Sequence, residues 1–169
     1  MRRMAGNEGF ADVLAANERY ARAFARGGLE ARARRGLCVL TCMDTRIEPL
    51  AMLGLEPGDA KILRNAGGRV TDDVVATLLV ASYLLGVERL MVVAHTNCRM
   101  NAPGDDALRT AIREAGGPDT GDLSFGTAPD QVAALRADVE RVRAEPRLAH
   151  LEVGGFLYDV ETGRLEPVV

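Results

Sequence analysis

Two short clusters of metal-binding and charged side chains stand out in this chain of 169 residues. The first, T-C-M-D-T-R, contains Cys42, Asp44 and Arg46, and the second, H-T-N-C, contains His95 and Cys98. Cysteine thiolates and imidazoles are ligands that Zn²⁺ prefers, and four such groups form a tetrahedral site. Three ligands with one replaceable position indicate a catalytic zinc, whereas four fixed ligands indicate a structural one. The carboxylate and the arginine beside Cys42 favour the catalytic interpretation.

Each cluster follows a short apolar segment that is typical of a buried strand. Leu37–Thr41 precedes Cys42, and Leu90–Ala94 precedes His95. The remaining patterns predict strands over 60–63 and 155–160 and helices over 9–26, 47–53, 71–85, 105–115 and about 129–144. This alternation predicts an α/β fold whose mostly parallel central sheet of four to five strands is flanked by helices. Ligands bind such sheets where the strand order reverses, so both clusters meet there if their strands are neighbours.

The length and the hydrophobic content of 47% suit one domain with a single core. We predict a single domain over 1–169, with an N-terminal helical arm over 1–35 and an α/β core over 36–169. The arm has an apolar face with Phe10, Leu14 and Phe24, which could pack on a partner subunit or on its own sheet. The basic segment Arg32–Arg35 is expected to be a solvated connector.

The composition excludes several classes of protein. The net charge is −3, and the 21 basic residues, all arginine except Lys61, are scattered, so nucleic acid is not an expected partner. No apolar segment approaches the roughly 18 residues of a membrane span. The first residues lack the apolar part of a secretory signal, so we expect no membrane association and a cytoplasmic location. Three cysteines favour metal ligation over disulfides in a reducing compartment.

The motif C-x-D-x-R followed by H-x-x-C resembles the β-class carbonic anhydrases. The segment R-N-A-G-G at 64–68 and the helix start T-D-D-V-V extend the resemblance, which runs from about Leu37 to Met100. It implies reversible hydration of CO₂ to bicarbonate and a proton by a zinc-bound hydroxide. It also implies a homodimer or a higher homo-oligomer, with the substrate pocket at the dimer interface.

Carried onto this sequence, the resemblance implies that Cys42, His95 and Cys98 bind Zn²⁺ and that Asp44 and Arg46 form a catalytic dyad. In the family, the aspartate either binds zinc as a fourth ligand or releases it to pair with the arginine. We therefore predict a pH switch between a closed state, in which Asp44 binds zinc, and an open state, in which it pairs with Arg46.

The residue types support this chemistry on physical grounds as well. Zinc lowers the pKa of a bound water, but two thiolates neutralise the charge of the metal, so we expect an apparent pKa of ~8. A carboxylate at Asp44 can orient that water if Arg46, which stays charged, keeps the carboxylate ionised. The turn over 65–68 lacks the nucleotide-binding patterns and is expected to support the dyad and to approach the zinc closely.

Other interpretations stay open. The same site in an apolar pocket could hydrolyse CS₂ or COS, which are linear isosteres of CO₂. Asp44 could instead complete a structural zinc site with the other three ligands. Arg99 stands where the family usually has glycine, and a left-handed backbone there would cost an arginine about 1–2 kcal/mol. The chain could therefore also be a catalytically silent zinc-binding protein.

Two further residues have simple interpretations. Cys38 lies inside a predicted strand and is interpreted as a small buried hydrophobic residue. His150 lies between Pro146 and the last predicted strand and is interpreted as a surface residue without a role.

Overall fold

The computed structural model describes residues 7–169 and divides the chain into two compact units, of which the first ends at Glu30 and the second is Ala31–Val169. The first unit contains a 3₁₀ turn, Asn7–Phe10, and helix α1, Ala11–Arg22. No residue of α1 is buried. The first six residues of the predicted arm lie outside the described residues. Within 7–169, no helix has the length and apolar character needed to cross a membrane.

The second unit is built on a five-stranded sheet in the order β2-β1-β3-β4-β5. Its strands are β1 Leu37–Cys42, β2 Ala60–Asn65, β3 Arg89–His95, β4 Glu152–Tyr158 and β5 Leu165–Pro167. Its helices are α2 Pro49–Met52, α3 Asp72–Leu84, α4 Asp105–Glu114 and α5 Gln131–Arg143. The first four strands are parallel, and β5 runs antiparallel to β4. The predicted α/β fold with a mostly parallel sheet flanked by helices is confirmed.

Burial on both faces of the sheet explains the uniformly apolar β1. All six residues of β1 are buried. Cys38 and Leu40 belong to the core cluster that also contains residues of α3 and α5, while Leu37 and Val39 belong to a second cluster on which Met52 of α2 packs. A strand covered on both faces has no solvent-facing position, so its sequence shows no polar alternation.

The segment that joins the first unit to β1 differs from the prediction of a solvated connector. The backbone N–H of Ala33 donates to Leu85 O at 2.8 Å, and that of Arg35 donates to Asp59 O at 2.9 Å. The side chain of Ala33 is buried, although the neighbouring arginines are exposed. The backbone of this segment is thus part of the second unit.

The fourth strand also begins earlier than predicted, because it contains two glycines, which are untypical of a strand. Gly154 and Gly155 lie inside β4. A Cβ atom at Gly155 would lie 2.7 Å from a methyl carbon of Val169 and 3.0 Å from one of Val139. The glycine therefore permits close packing of α5 and the C-terminal residues on the sheet. The tail predicted after residue 163 contains β5, whose three residues are too few to show a pattern.

The pairing of β1 with β3 brings the two sequence clusters together. From β1 the chain moves outward to β2 and then crosses back over β1 to β3, so the strand order reverses between β1 and β3. Because these two strands are parallel neighbours in register, their carboxyl ends lie at the same edge. The sheet therefore positions a site at its topological switch point, as the alternation of elements predicts.

Candidate metal centre

Three soft donor atoms converge where β1 and β3 end. Cys42 is the last residue of β1, His95 is the last residue of β3, and Cys98 follows three residues later. One ligand atom from each lies within 4.8 Å of the others, and the two Sγ atoms are 4.0 Å apart. Two thiolates that share a tetrahedral zinc with Zn–S bonds of ~2.3 Å would be about 3.8 Å apart. The separation of the sulfur atoms thus suits a common metal ion.

The imidazole of His95 is oriented so that one ring nitrogen is free to bind the same metal ion. Its Nδ1 lies 2.9 Å from Thr96 O, to which it donates, so Nε2 carries the free lone pair. His95 is buried, and its Nε2 has no hydrogen-bond partner among the described residues. A buried polar atom without a partner costs about 1–3 kcal/mol, which a metal ligand bond removes. The cluster therefore fits Zn²⁺ in chemistry, in spacing and in its unpaired nitrogen.

The surroundings of Cys42 lower the pKa of its thiol and so favour the form that binds a cation. The Cys98 thiol, His95 and the Gly67 N–H together lower the pKa of Cys42 to about 4, against the opposing effect of burial. The hydrogen bond to Cys42 raises the pKa of Cys98, so one of the two sulfurs is a thiolate at neutral pH and the other keeps its proton. Since the thiolate is the form that binds metals, only Cys98 has to release a proton.

Cys38 provides a contrast within the same strand. It is fully buried in the core, and this burial raises the pKa of its thiol to about 12. A buried neutral thiol is inert and acts as a small hydrophobic residue, as expected.

The glycine turn that follows β2 lies directly against Cys42. The N–H of Gly67 donates to Cys42 Sγ at 3.3 Å, and both Gly67 and Gly68 have positive φ angles. A Cβ atom on Gly68 would lie 3.0 Å from the carbonyl carbon of Thr41. Only glycine combines the left-handed backbone with this approach. The turn thus lies in close contact with the candidate ligand Cys42.

The carboxylate of Asp44 pairs with Arg46 beside the cluster. Asp44 Oδ1 accepts from Arg46 Nε at 2.9 Å, and Oδ2 accepts from Nη2 at 2.7 Å. This bidentate pair holds the pKa of Asp44 well below its usual range. Asp44 Oδ2 lies 3.9 Å from His95 Nε2. Both carboxylate oxygens of Asp44 are thus paired with Arg46.

Two residues that the sequence analysis did not single out hold the dyad in place. Arg64 donates from Nε to Cys42 O at 2.9 Å and from Nη2 to Asp44 O at 2.6 Å. Arg46 Nη2 also donates to Asn97 O at 3.0 Å, which joins the dyad to the loop between His95 and Cys98. Asn97 is the only non-glycine residue with a positive φ among residues 7–169, at 55°. Asparagine tolerates this conformation better than most residues, so the asparagine between His95 and Cys98 was the feature of the sequence that could have indicated this turn.

Arg99 causes no backbone strain. It opens the 3₁₀ turn Arg99–Asn101 with a φ outside the left-handed region, and its side chain is exposed. The free-energy cost expected for an arginine in a left-handed conformation therefore does not arise. His150 is exposed and packs against the ring of Tyr83 with the ring centroids 4.8 Å apart, which agrees with its interpretation as a surface residue.

Comparisons with known proteins match both the sequence and the fold. The family model described as "Carbonic anhydrase" matches residues 37–113, a range that contains all the predicted site residues. The β-carbonic anhydrase 1 of Mycobacterium tuberculosis is 36% identical over 160 residues, which are 93% of this chain and 96% of that protein. The chain belongs to the β-carbonic anhydrase family. It is thus a member of a family of lyases, the carbonate dehydratases.

A solved structure and a relative named for a different substrate are also similar to this chain. The crystal structure of a carbonic anhydrase from Streptococcus mutans superimposes with a TM-score of 0.87 and 31% identity, covering 99% of this chain and 100% of that chain. The carbon disulfide hydrolase of Acidithiobacillus thiooxidans is 29% identical over 153 residues, which are 79% of this chain and 77% of that protein. The β-carbonic anhydrase family therefore includes relatives named for a second substrate.

We predict that the purified protein binds one zinc ion per chain and that Cys42→Ser or Cys98→Ser abolishes stoichiometric zinc binding, because a hydroxyl is a poor ligand at neutral pH. Elemental analysis after dialysis measures the bound metal. Cys38→Ala, a change at the cysteine outside the cluster, is the matched control and should retain the zinc. Zinc loss in the control, or full retention in either serine variant, would contradict the ligand assignment.

Proposed function

We propose that this chain catalyses the reversible hydration of CO₂ to bicarbonate and a proton. The observation that carries the proposal is the cluster of Cys42, His95 and Cys98 with the Asp44–Arg46 pair beside it. A soft metal-binding set beside an ionised carboxylate supplies the two functions that hydration needs, namely an electrophilic centre and a hydrogen-bond acceptor that orients the water.

In this proposal the sulfur atoms of Cys42 and Cys98 and the Nε2 atom of His95 hold the zinc. When bound, zinc supplies a Lewis acid that makes water a nucleophile near neutral pH. The N–H of Gly67 fixes the orientation of Cys42, and the carbonyl of Thr96 fixes that of His95. Such supporting hydrogen bonds set both the geometry and the donor strength of the ligands.

Asp44 orients the reacting water and accepts a hydrogen bond from it. Its Oδ1 accepts from both the backbone N–H and Nε of Arg46, whereas Oδ2 accepts only from Nη2 and keeps a second lone pair for the water. Arg46 holds the pKa of Asp44 well below its usual range, so the carboxylate is an acceptor at every pH at which the reaction is measured. Arg46 in turn is fixed by Asn97 O, which keeps the dyad at a constant position relative to His95 and Cys98.

Two alternatives from the sequence analysis have less support. A structural zinc needs a permanent fourth ligand, and the candidate Asp44 has both oxygens on Arg46. A catalytically silent protein was suggested by Arg99, and the unstrained, exposed conformation of this residue gives no reason for loss of activity. Measurable turnover by the unmodified chain would exclude both.

Hydrolysis of CS₂ or COS is the second candidate function. The observation that favours it is the identity of 29% over 153 residues to a carbon disulfide hydrolase, together with the 36% identity to a carbonic anhydrase. The substrate carbon is attacked in the same way in all three molecules, so the ligand cluster and the dyad would have the same roles.

The proposal includes a homodimer or a higher homo-oligomer in which a single catalytic domain uses its N-terminal arm to contact a partner subunit. The apolar side chains of the first unit support this, since Phe10, Val13 and Leu14 are 62%, 55% and 50% exposed. An apolar helix face of this kind is usually covered by another protein surface. We further propose a cytoplasmic location, because thiolate ligands persist in a reducing compartment.

Stopped-flow CO₂ hydration by the zinc-loaded protein between pH 6.5 and 9 tests the main proposal. We expect the rate to rise with pH and Asp44→Asn to lower kcat by about 10²-fold, since the ionised acceptor that orients the water is lost. A lowered pKa means that Asp44 loses its charge only below its usual value of about 4. Asp44 therefore stays ionised across this range and does not itself titrate in the profile. A parent without activity would refute the proposal, and an unchanged kcat in Asp44→Asn would refute the role of Asp44.

Rates for CO₂ and CS₂ under the same conditions separate the two candidate functions. We expect a higher kcat/KM for CO₂, because oxygen withdraws more electron density from carbon than sulfur does and so favours attack by water. Release of hydrogen sulfide from CS₂ at a higher kcat/KM than CO₂ hydration would identify the second function instead.

Sedimentation velocity tests the role of the arm. The parent should sediment as a dimer or a larger species, and Leu14→Asp should shift it towards the monomer because a charge then lies in the apolar contact. Leu123→Asp, at a residue that is 58% exposed in the second unit, is the matched control. A monomeric parent would contradict the proposal.

A further inference from the structure

An ion pair with a buried carboxylate lies next to the proposed metal centre and has no part in the mechanism above. Arg69 Nε donates to Asp138 Oδ2 at 2.6 Å, and Nη2 donates to Oδ1 at 3.3 Å. The side chain of Asp138, on the apolar face of α5, is 7% exposed, and that of Arg69 is 26% exposed. Apolar residues in place of a buried ion pair are often as stable or more stable, so stability alone does not account for the pair.

Arg69 connects this pair to the turn that supports Cys42. It follows the Ala66–Gly68 turn directly, and its backbone is held on both sides by Asn65, whose Oδ1 accepts from Arg69 N and whose Nδ2 donates to Arg69 O, each at 2.8 Å. A shift of Arg69 would therefore move the Gly67 N–H relative to the Cys42 sulfur.

The pair also forms part of a small cavity behind two of the ligands. Arg69, Asp138, His95 and Cys98 all line a cavity of about 20 Å³, whereas neither residue of the catalytic dyad does. Arg69 closes this region further by donating from Nη1 to Gly126 O at 3.1 Å. The pair thus lies against the metal ligands His95 and Cys98 and not against the Asp44–Arg46 dyad.

We propose that Arg69 and Asp138 are positioning residues for the metal centre: their buried ion pair fixes the Ala66–Gly68 turn against Cys42 and the cavity wall behind His95 and Cys98. The proposal rests on the metal centre described under the proposed function. Without the pair, the N–H···S contact lengthens and the Cys42 sulfur retains more electron density. Groups that orient metal ligands typically change metal affinity by about 10–100-fold when they are removed.

The test uses the full chain with Co²⁺ in place of zinc and measures two quantities. The first is the Co²⁺ affinity from chelator competition, and the second is the energy of the thiolate-to-cobalt charge-transfer band. The double variant Arg69→Met/Asp138→Leu removes both charges together, so no unpaired buried charge remains to unfold the protein. We expect the double variant to unfold in urea as the parent does, to bind Co²⁺ about 10–100-fold more weakly, and to show the band at lower energy.

Arg69→Lys is the second variant and decides the question if the double variant does not fold. Lysine keeps the charge opposite Asp138, but its single ammonium lacks the planar fork that reaches two carboxylate oxygens and Gly126 O together. We expect a smaller loss of affinity and a shift of the band in the same direction. In the CO₂ reaction, kcat should fall while KM stays constant.

Arg34→Lys is the matched control. Arg34 also donates to a largely buried aspartate, Asp59, at 2.7 Å and to a backbone carbonyl, that of Pro57, but it lies by the start of β2, at the opposite end of the strands from Cys42. The control should keep the affinity and the band of the parent. If the folded double variant, or Arg69→Lys where the double variant does not fold, also has both parental values, the positioning role is refuted. A parent that binds no Co²⁺ would instead refute the metal centre itself.

Discussion

Strands β1 and β3 pair in parallel from Leu37 opposite Arg89 to Thr41 opposite Val93, and this pairing decides where the candidate ligands lie. The chain leaves β1 on one side and returns to β3 on the other, so no helix crosses the gap between the two carboxyl ends. Cys42 and His95, separated by more than fifty residues in sequence, thereby become neighbours. Cys98, three residues after His95, then completes the set.

The site depends equally on groups from the end of β2 and from the glycine turn that follows it. Gly67 donates its N–H to the Cys42 sulfur, and Gly68 approaches the β1 backbone more closely than any side chain would allow. Arg64 binds the carbonyls of Cys42 and Asp44. This short segment thus gives the Cys42 sulfur a donor and holds the backbone carbonyls on both sides of Met43, whereas the Asp44 carboxylate is paired with Arg46. The end of β2 and the turn after it therefore contact both the candidate ligand Cys42 and the backbone of the dyad.

Much of this arrangement could be predicted from the sequence, because its signals are local. A ligand after each of two apolar strands, a carboxylate two residues from an arginine, and two adjacent glycines are visible without a structure. The Arg69–Asp138 contact was not predictable in the same way, since its partners are 69 residues apart. Its one signal is a charge on the apolar face of α5, between Leu135 and Val139, which indicates a buried partner without naming it. Strand β5 was missed because its stability comes from pairing with β4, and a segment of three residues carries no periodicity.

The order of the strands also bears on aggregation. The outer strands of an open sheet expose unpaired backbone groups to which another chain can add. On one side the outer strand is β2, which carries Lys61 and Arg64. On the other side it is β5, which is only three residues long and ends at Pro167. Charge, shortness and a proline are the features that discourage such addition. Extension of the sheet into fibrils is therefore disfavoured at both ends, even though the interior strands are mainly apolar.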